Sequence, residues 1–297
     1  MKIQKNVLLK EYTTFKIGGP AKYFCAVENK EDLIRAVSFA KKEKIPLFIL
    51  GGGSNLLVSD EGFKGLVIKI ENCKLKIVNS RVIAGAGVSL AKLVSITSNA
   101  GLSGMEWASG IPGATVGGAI RGNAGAFGAE MKDITKTVIV LEIQNPKSKI
   151  QNNNFKIKIR NFNNKDCRFS YRSSIFKENP DLIIFSCELE MKRGDKVKEK
   201  VKEILSYRKE KHPAEPSAGS IFKNLENIRA RDLIEKAGLK GRTIGGAQIS
   251  EHHANFIVNL GGAKSKDVLD LIDLAKKEVK NKFGIEIEEE IKYLDTK

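Results

Sequence analysis

Three short segments carry side chains that could perform acid–base chemistry or bind an anion. Ser220 follows a glycine and is closely followed by Lys223 and Asn224, which places a hydroxyl beside an anion-binding pair. Arg172 is a fixed cation whose planar guanidinium suits two-point binding of a carboxylate. Glu290 ends a glutamate-rich run, in which one buried carboxylate would be a candidate acid or base. Each segment alone also fits a structural role, as a turn, a surface arginine or a solvated strand face.

Two glycine-rich loops indicate a large ligand that contains a pyrophosphate. Residues 51–55 read Gly-Gly-Gly-Ser-Asn after an apolar strand-like run, and residues 110–118 form the second loop. Glycine lets backbone N–H groups approach a phosphate closely, and successive N–H groups make an anion nest. One such loop could be only a tight turn, whereas two favour a ligand gripped from both sides.

The common nucleotide fingerprints do not match either loop. Residues 85–90 supply the first two glycines of G-x-G-x-x-G and then end in leucine, and neither loop contains the Gly-Lys-Ser/Thr of a P-loop. The sequence therefore predicts a nucleotide or flavin binder of neither common class.

Composition narrows the class of protein further. A chain of 297 residues allows about two domains, and 41% apolar with 29% charged residues is ordinary for a globular protein. No run approaches the roughly 18 apolar residues of a membrane span, and the N-terminus lacks a signal-peptide core, so we expect a cytoplasmic location. The net charge of +16 suits small polyanions, and few aromatic residues are available for base stacking. We expect a monomer with no nucleic-acid or membrane partner.

Cysteine and histidine spacing argues against a metal. The four cysteines form no C-x-x-C motif, which disfavours a zinc or redox-dithiol site. His252 and His253 are adjacent, the third histidine is distant in sequence, and no H-E-x-x-H pattern occurs. We therefore assign His253 a structural role or a substrate contact, and no metal site is predicted.

Apolar periodicity predicts alternating helices and strands. Asn29 is the expected cap of the first helix, and a helix over 196–211 would carry Val197, Val201, Ile204 and Leu205 on one face. The Asn-rich residues 151–164 are interpreted as a surface hairpin. Helices are predicted at 32–44, 90–100, 196–211, 230–237 and 265–283, and strands at 21–27, 47–50, 65–70, 82–86, 134–143, 181–190, 255–259 and 285–291.

Taken in order, these motifs resemble the UDP-N-acetylenolpyruvoylglucosamine reductase family. The resemblance covers nearly the whole chain and rests on residues 14–21, 51–58, 110–113, 123–128, 171–172, 217–224 and 290–292. Each motif is weak alone, but all of them in family order are highly specific. Departures are a loop at 111–118 that is one residue longer, Leu225 where proline is common, and Lys292 in place of arginine. The short interval between Arg172 and Ser220 matches the branch that lacks an extra substrate-covering segment.

The resemblance implies an α+β fold. Its parts would be a two-lobed FAD-binding domain of the vanillyl-alcohol-oxidase-like type and a smaller C-terminal α/β substrate domain. The first would span 1–195, with lobes at about 1–70 and 71–195, and the second 196–297, with its terminal strand returning to the active site. The implied activity is NADPH-dependent reduction of UDP-N-acetylglucosamine enolpyruvate to UDP-N-acetylmuramate, through FAD, in peptidoglycan precursor synthesis. We expect non-covalent FAD, because residues 51–58 and 110–128 contain no histidine or cysteine for attachment.

The resemblance also implies roles for individual residues. Ser220 matches the proton donor, while Arg172 and Glu290 match the groups that stabilise charge developing on the substrate carboxylate. Glu290 would act best when protonated, which requires burial. Contacts with the UDP-sugar substrate are expected from Tyr171, Lys211, Lys223, Asn224 and His253. Contacts with FAD are expected from Gly51, Gly52, Gly53, Ser54, Asn55, Leu56, Ile111, Pro112, Gly113, Thr115, Gly117, Gly118, Asn123 and Gly125.

Two other classes of protein stay open at this point. One is a flavin oxidase of the same broad fold that acts on an alcohol or a sugar, which would lack the Ser220 motif. The other is a basic nucleotide- or RNA-binding module without chemistry, which would not bind flavin.

Overall fold

The computed structural model describes residues 1–144 and 155–295. Its α-helices are α1 (Lys30–Lys42), α2 (Leu90–Asn99), α3 (Val116–Arg121), α4 (Ile175–Glu178), α5 (Val197–Lys211), α6 (Ala230–Lys236) and α7 (Ser265–Phe283). Short 3-10 helices occur at Leu9–Tyr12, Glu106–Gly110, Met131–Asp133 and Asn164–Cys167.

The strands of these residues are β1 (Gln4–Leu8), β2 (Pro20–Val27), β3 (Leu47–Leu50), β4 (Leu56–Val58), β5 (Phe63–Ile70), β6 (Leu75–Val78), β7 (Arg81–Gly85), β8 (Leu102–Ser103), β9 (Gly125–Ala126), β10 (Ala129–Glu130), β11 (Thr135–Gln144), β12 (Lys156–Asn163), β13 (Leu182–Glu190), β14 (Lys192–Arg193), β15 (Ser217–Ser220), β16 (Thr243–Ile244), β17 (Ala247–Ile249), β18 (Phe256–Asn259) and β19 (Lys292–Leu294).

The chain divides into two compact units that are discontinuous in sequence. Unit 1 contains residues 1–4, 23–52 and 65–206, and unit 2 contains residues 5–22, 53–64 and 207–297. Each unit has its own cluster of buried apolar side chains. Within residues 1–144 and 155–295, no helix is long and apolar enough to cross a membrane. The domain boundary at 195/196 stays a prediction from the sequence.

Unit 1 is built on two sheets. In one, β3 pairs in parallel with β5, with Leu47 opposite Leu66. The other is antiparallel, with the strand order β12-β11-β13-β7-β6. Helix α1 starts at the predicted cap, where the Asn29 side chain accepts a hydrogen bond from the backbone N–H of Asp32 at 2.8 Å. Its apolar face is fully buried, so burial of this face fixes the helix in unit 1.

Unit 2 joins a four-stranded antiparallel sheet to helices α6 and α7. The strand order is β15-β18-β17-β16, and β19 adds a parallel pair with β4, with Lys292 opposite Leu56. Helix α7 begins at Ser265, whose backbone N–H donates to the Asp60 carboxylate at 2.9 Å. The N-terminus of a helix is a favourable place for such an anion. It ends at Gly284, which has a φ of 69° and forms a left-handed cap. Both ends of this helix agree with the prediction.

Three sequence expectations need correction or restriction. The terminal strand predicted at 285–291 is wrong: this segment makes a single bridge between Glu289 and Phe222, and the strand lies at β19. The alternation of apolar and charged residues that suggested this strand does correspond to alternating burial, because Ile287 and Ile291 are buried. The backbone of the segment, however, pairs with other strands at few positions. Leu205 was expected on the apolar face of α5, but it is 47% exposed because it lies off the apolar stripe that begins at buried Val197. For the predicted hairpin, residues 156–163 form β12, and residues 151–154 lie outside the described residues.

Burial along α7 predicts the stability of unit 2. Leu271 is fully buried, so Leu271→Ala should lower the free energy of unfolding by about 2–5 kcal/mol through lost transfer energy and a residual cavity. Leu269 lies on the same helix and is 38% exposed, so Leu269→Ala should change it by no more than about 0.5 kcal/mol. Urea unfolding followed by far-UV circular dichroism measures both. Equal losses in the two variants would contradict the assigned burial.

Candidate functional site

The two glycine-rich loops approach each other within unit 1 too closely for side chains. A β-carbon on Gly52 would lie 1.6 Å from the Gly113 carbonyl oxygen, and one on Gly51 would lie 2.6 Å from Oγ1 of Thr115. Gly113 has a φ of 69°, in the left-handed region that favours glycine. The backbone is therefore bare where the loops meet, as a pyrophosphate cradle requires.

Helix α3 begins at Val116, within the second glycine-rich loop. The Thr115 hydroxyl caps it by accepting a hydrogen bond from the Gly118 N–H at 3.5 Å. Gly117 donates its own N–H to the Ala86 carbonyl at 2.9 Å, and a β-carbon at Gly117 would lie 2.8 Å from that of Ala86. Gly117 therefore serves close packing, and its N–H is already committed to protein.

Arg172 lies at the tip of a tight turn in unit 1. Ser170 and Ser173 exchange two backbone hydrogen bonds of 3.1 Å, and Arg172 has a φ of 55°. Its guanidinium Nη2 donates to the Gly125 carbonyl at 2.9 Å, and the guanidinium carbon Cζ lies 5.1 Å from the ring centre of Tyr171, which is 50% exposed. These contacts hold the cation in a defined direction beside an accessible aromatic ring.

Asn123 is fully buried and acts through its side chain as a structural bridge. Its amide nitrogen donates to the Glu130 carboxylate at 2.8 Å and to the Ser170 carbonyl at 3.0 Å. Its amide oxygen accepts from the Lys132 N–H at 2.9 Å. The side chain of Asn123 thus anchors the turn that presents Arg172, and its predicted contact with the cofactor stays a prediction.

Ser220 and Glu290 lie on paired segments of unit 2. The Glu290 N–H donates to the Ile221 carbonyl at 2.7 Å, and the Lys223 N–H donates to the Glu288 carbonyl at 2.8 Å. On its other side, Ser220 pairs with Phe256 of β18. Residues far apart in sequence are thereby placed on neighbouring segments. Glu290 is half-buried, in contrast to Glu286 and Glu288, whose side chains are 78% and 75% exposed.

Asn55 connects the first glycine loop to the Glu290 segment within unit 2. Its side-chain amide donates to the Glu290 carbonyl at 3.2 Å, and its own carbonyl accepts from the Lys292 N–H at 3.2 Å. Both peptide groups of Glu290 are thus hydrogen-bonded. The sequence indicated a cofactor contact for Asn55 and offered no local signal for this second role.

The predicted substrate contacts of unit 2 have protein partners. Lys223 forms an ion pair with Glu288, and Lys211 forms one with Glu210. The Asn224 side chain accepts from the Ala230 N–H at 3.1 Å at the start of α6. Their contacts with substrate stay predictions.

His253 belongs to a stacked pair that sequence reasoning missed. Its ring lies 5.2 Å from that of His212 at an interplanar angle of 16°, and Phe256 packs edge-on against both. Burial, followed by the positive charges of Arg208 and Arg231, lowers the pKa of His212 to about 4. Burial, followed by His212 and Arg231, lowers the pKa of His253 to about 3. Both rings are therefore neutral near pH 7. No local pattern links residues 212 and 253, so only the fold reveals the pair.

Comparisons with known proteins match the two parts of the chain to different family models. Residues 21–153 match the family model described as FAD binding domain. The match covers both glycine loops and three of the five strands of the antiparallel sheet of unit 1, namely β6, β7 and β11. The bare backbone of Gly52 and Gly113 fits the close approach that a dinucleotide needs. The chain is thus an FAD-binding protein. Residues 211–294 match the model described as UDP-N-acetylenolpyruvoylglucosamine reductase, C-terminal domain.

Full-length relatives identify the family. A UDP-N-acetylenolpyruvoylglucosamine reductase of Caldanaerobacter subterraneus subsp. tengcongensis is 44% identical and covers 100% of this chain and 95% of its own length. One from Anoxybacillus flavithermus is 41% identical, with 99% and 95% covered. The crystal structure of the enzyme from Thermus caldophilus has a TM-score of 0.79 at 37% identity, with 99% of each chain covered. The chain belongs to the UDP-N-acetylenolpyruvoylglucosamine reductase family and is an FAD-dependent oxidoreductase. The family and the α+β architecture predicted from the motifs are confirmed.

Contact between the glycine loops leads to a prediction about flavin binding. Gly52→Ala should lose most of the bound flavin, because its methyl group cannot fit against the Gly113 carbonyl oxygen. Gly122→Ala is the matched control, since a β-carbon there meets its nearest atom at 3.6 Å and should preserve flavin content. The ratio of flavin to protein absorbance after purification measures both. Full flavin occupancy in a folded Gly52→Ala protein would contradict the assignment of this loop.

The neutral histidine pair predicts loss of stability in acid. Folded His212 and His253 have lower pKa values than the ordinary 6.5, so the unfolded chain binds more protons below that pH. These two histidines therefore lower the free energy of unfolding as pH falls from about 6.5 towards 4. His253→Phe should show a shallower decline in melting temperature between pH 7 and 5 than the unchanged protein. His252→Phe, at an exposed neighbour, should keep the original decline, and an identical pH profile in His253→Phe would refute the effect.

Proposed function

We propose that this protein reduces UDP-N-acetylglucosamine enolpyruvate to UDP-N-acetylmuramate with NADPH, in cytoplasmic synthesis of peptidoglycan precursors. The observation that carries the proposal is the pairing of the Ser220 and Glu290 segments through the 2.7 Å hydrogen bond from Glu290 to Ile221. A hydroxyl and a half-buried carboxylate on paired segments can serve a reaction that needs a proton and stabilisation of negative charge. The names of the full-length relatives support the same substrate.

The residue types match the charge changes of this reduction. FAD, when bound and reduced by NADPH, would supply the hydride that the enol ether accepts at its β-carbon. Negative charge then develops at the α-carbon and spreads into the adjacent carboxylate, where Arg172 and Glu290 would stabilise it more than in the ground state. Ser220 would donate the proton to the α-carbon. Because a free serine is a weak acid, neighbouring groups must polarise it.

Local geometry supports distinct roles for the charged groups. The contacts of Arg172 with Gly125 and Tyr171 hold its guanidinium in one orientation, which suits binding of a planar carboxylate. Glu290 has both peptide groups fixed, so its side chain starts from a defined position. Tyr171, Lys211, Lys223, Asn224 and His253 are proposed to bind the UDP-sugar.

The remaining parts of the proposal concern cofactor and organisation. FAD would be held without a covalent bond by the two glycine loops in residues 1–195, and residues 196–297 would form the substrate domain. The protein would act as a monomer without a nucleic-acid or membrane partner. Denaturation should release all the flavin, and flavin that stays with acid-precipitated protein would contradict non-covalent binding.

Anaerobic spectroscopy tests the reaction directly. NADPH should bleach the yellow protein, and the enolpyruvyl sugar nucleotide should restore the colour far faster than oxygen does. Recolouring by oxygen at a comparable rate would favour a flavin oxidase. A colourless purified protein that binds RNA would favour a basic binding module without chemistry.

Ser220→Ala separates the two halves of this experiment. We expect normal flavin content and normal bleaching by NADPH, with recolouring by substrate slowed by at least about 100-fold, a typical contribution of a positioned acid. Ser217→Ala, in the same strand β15, is the matched control and should leave both steps unchanged. An equal loss in both steps for Ser220→Ala would indicate a folding or binding role instead of proton donation.

A further inference from the structure

Glu289 has a different environment from the other glutamates of its segment. Its carboxylate contacts the Lys276 ammonium on α7 and the hydroxyl of Tyr293. Its side chain is 19% exposed, whereas Glu286 and Glu288 are largely exposed and pair with Lys280 and Lys223. Exposed ion pairs contribute little to stability, and a partly buried carboxylate with two partners is held more firmly.

These contacts involve residues on both sides of Glu290 in the sequence. Glu289 immediately precedes Glu290 and Tyr293 follows it by three positions, so the contact from Glu289 to Tyr293 closes a short loop that contains Glu290. Lys276 attaches this loop to α7, whose inner face is buried in the core of unit 2. Burial, followed by the hydrogen bond to Glu289, raises the pKa of Tyr293, so its hydroxyl stays protonated and can donate.

We propose that Lys276, Glu289 and Tyr293 are positioning residues that fix the place of Glu290 for the reduction step. This inference rests on the proposed function. The hydrogen bonds from Glu290 to Ile221 and from Asn55 to Glu290 hold the peptide groups of Glu290 itself. The three side chains hold the residues on either side, because the φ and ψ rotations around Glu290 are restricted while Glu289 is bonded both to Lys276 of α7 and to Tyr293.

We call Lys276, Glu289 and Tyr293 the clamp. Loss of the clamp would affect the reaction through small displacements of the Glu290 side chain. Catalytic groups must be held within about half an ångström of productive geometry, and a displacement of about 1 Å can slow a reaction up to about 100-fold. Glu290 is needed only after hydride addition begins. Loss of the clamp should therefore slow the substrate-dependent step and spare reduction by NADPH.

Two measurements on the flavin-loaded full chain test the clamp. We would compare Lys276→Met, Glu289→Gln and Tyr293→Phe for substrate-dependent recolouring and for NADPH-dependent bleaching. We expect about tenfold slower recolouring in Lys276→Met and Tyr293→Phe, unchanged bleaching, and a smaller loss in Glu289→Gln, which can still accept hydrogen bonds. Lys276→Arg should restore the rate, since it keeps the charge and donors.

Hydrogen exchange provides a readout that does not depend on catalysis. The backbone amides of residues 286–294 should exchange faster in Lys276→Met and Tyr293→Phe, because the segment opens locally more often. Lys280→Met is the matched control, since it removes an ion pair from the same helix to the exposed Glu286. This control should leave exchange around Glu290 and both kinetic steps unchanged.

The possible outcomes test the clamp and the proposed reaction independently. Unchanged exchange and recolouring in Lys276→Met and Tyr293→Phe would overturn the clamp, as would an equal slowing of bleaching and recolouring. Changes in Lys280→Met as large as those in Lys276→Met would overturn it as well. If the unsubstituted protein is bleached by NADPH and never recoloured by the enolpyruvyl substrate, the proposed function is wrong, and the exchange experiment still decides whether the clamp holds the segment.

Discussion

The hydrogen bond from the Glu290 N–H to the Ile221 carbonyl is the constraint on which unit 2 depends. It joins the segment that carries Ser220 to the segment that carries Glu290, and the Asn55 side chain adds a third segment that lies 235 positions from Glu290. Bringing such distant parts of a chain together costs conformational entropy, which the buried core of this unit must offset. The core surrounding these segments thus keeps the proposed catalytic residues Ser220 and Glu290 on neighbouring parts of the fold.

Unit 1 satisfies a different requirement, the close approach of two backbones. The 1.6 Å separation between a hypothetical Gly52 β-carbon and the Gly113 oxygen shows that glycine is required there by contact between the loops. The hydroxyl of Thr115 caps α3, and the N–H of Gly117 binds the start of this helix to the carbonyl of Ala86, which directly follows β7. The close approach of the two loops depends on the absence of side chains, and neighbouring elements fix its geometry.

Local signals predicted the elements that local interactions determine. Asn29 caps α1 through its own side chain, and α7 ends where Gly284 adopts a left-handed conformation, so short windows of sequence contained the answer. The terminal strand was misplaced because its position is set by β4, more than 200 residues earlier in the chain. The side-chain roles of Asn55 and Asn123 were missed for the same reason, since each depends on distant partners. The candidate catalytic residues were found through family motifs, and no periodicity would have placed Ser220 beside the Glu290 segment.

The discontinuity of unit 2 imposes an order on synthesis of the protein. Phe15, Ile17 and Leu57 are made early but are buried among side chains that belong to residues 218–291. At about 5–20 residues per second, these apolar groups wait on the order of ten seconds or more for their partners. During that interval the ribosome carries a chain whose unit 1 can condense while β4 of unit 2 lacks its partner β19, which is made last. The nascent protein therefore depends on the cell's capacity to shield exposed apolar segments, and conditions that exhaust chaperones should limit the yield of the active fold before they affect the finished enzyme.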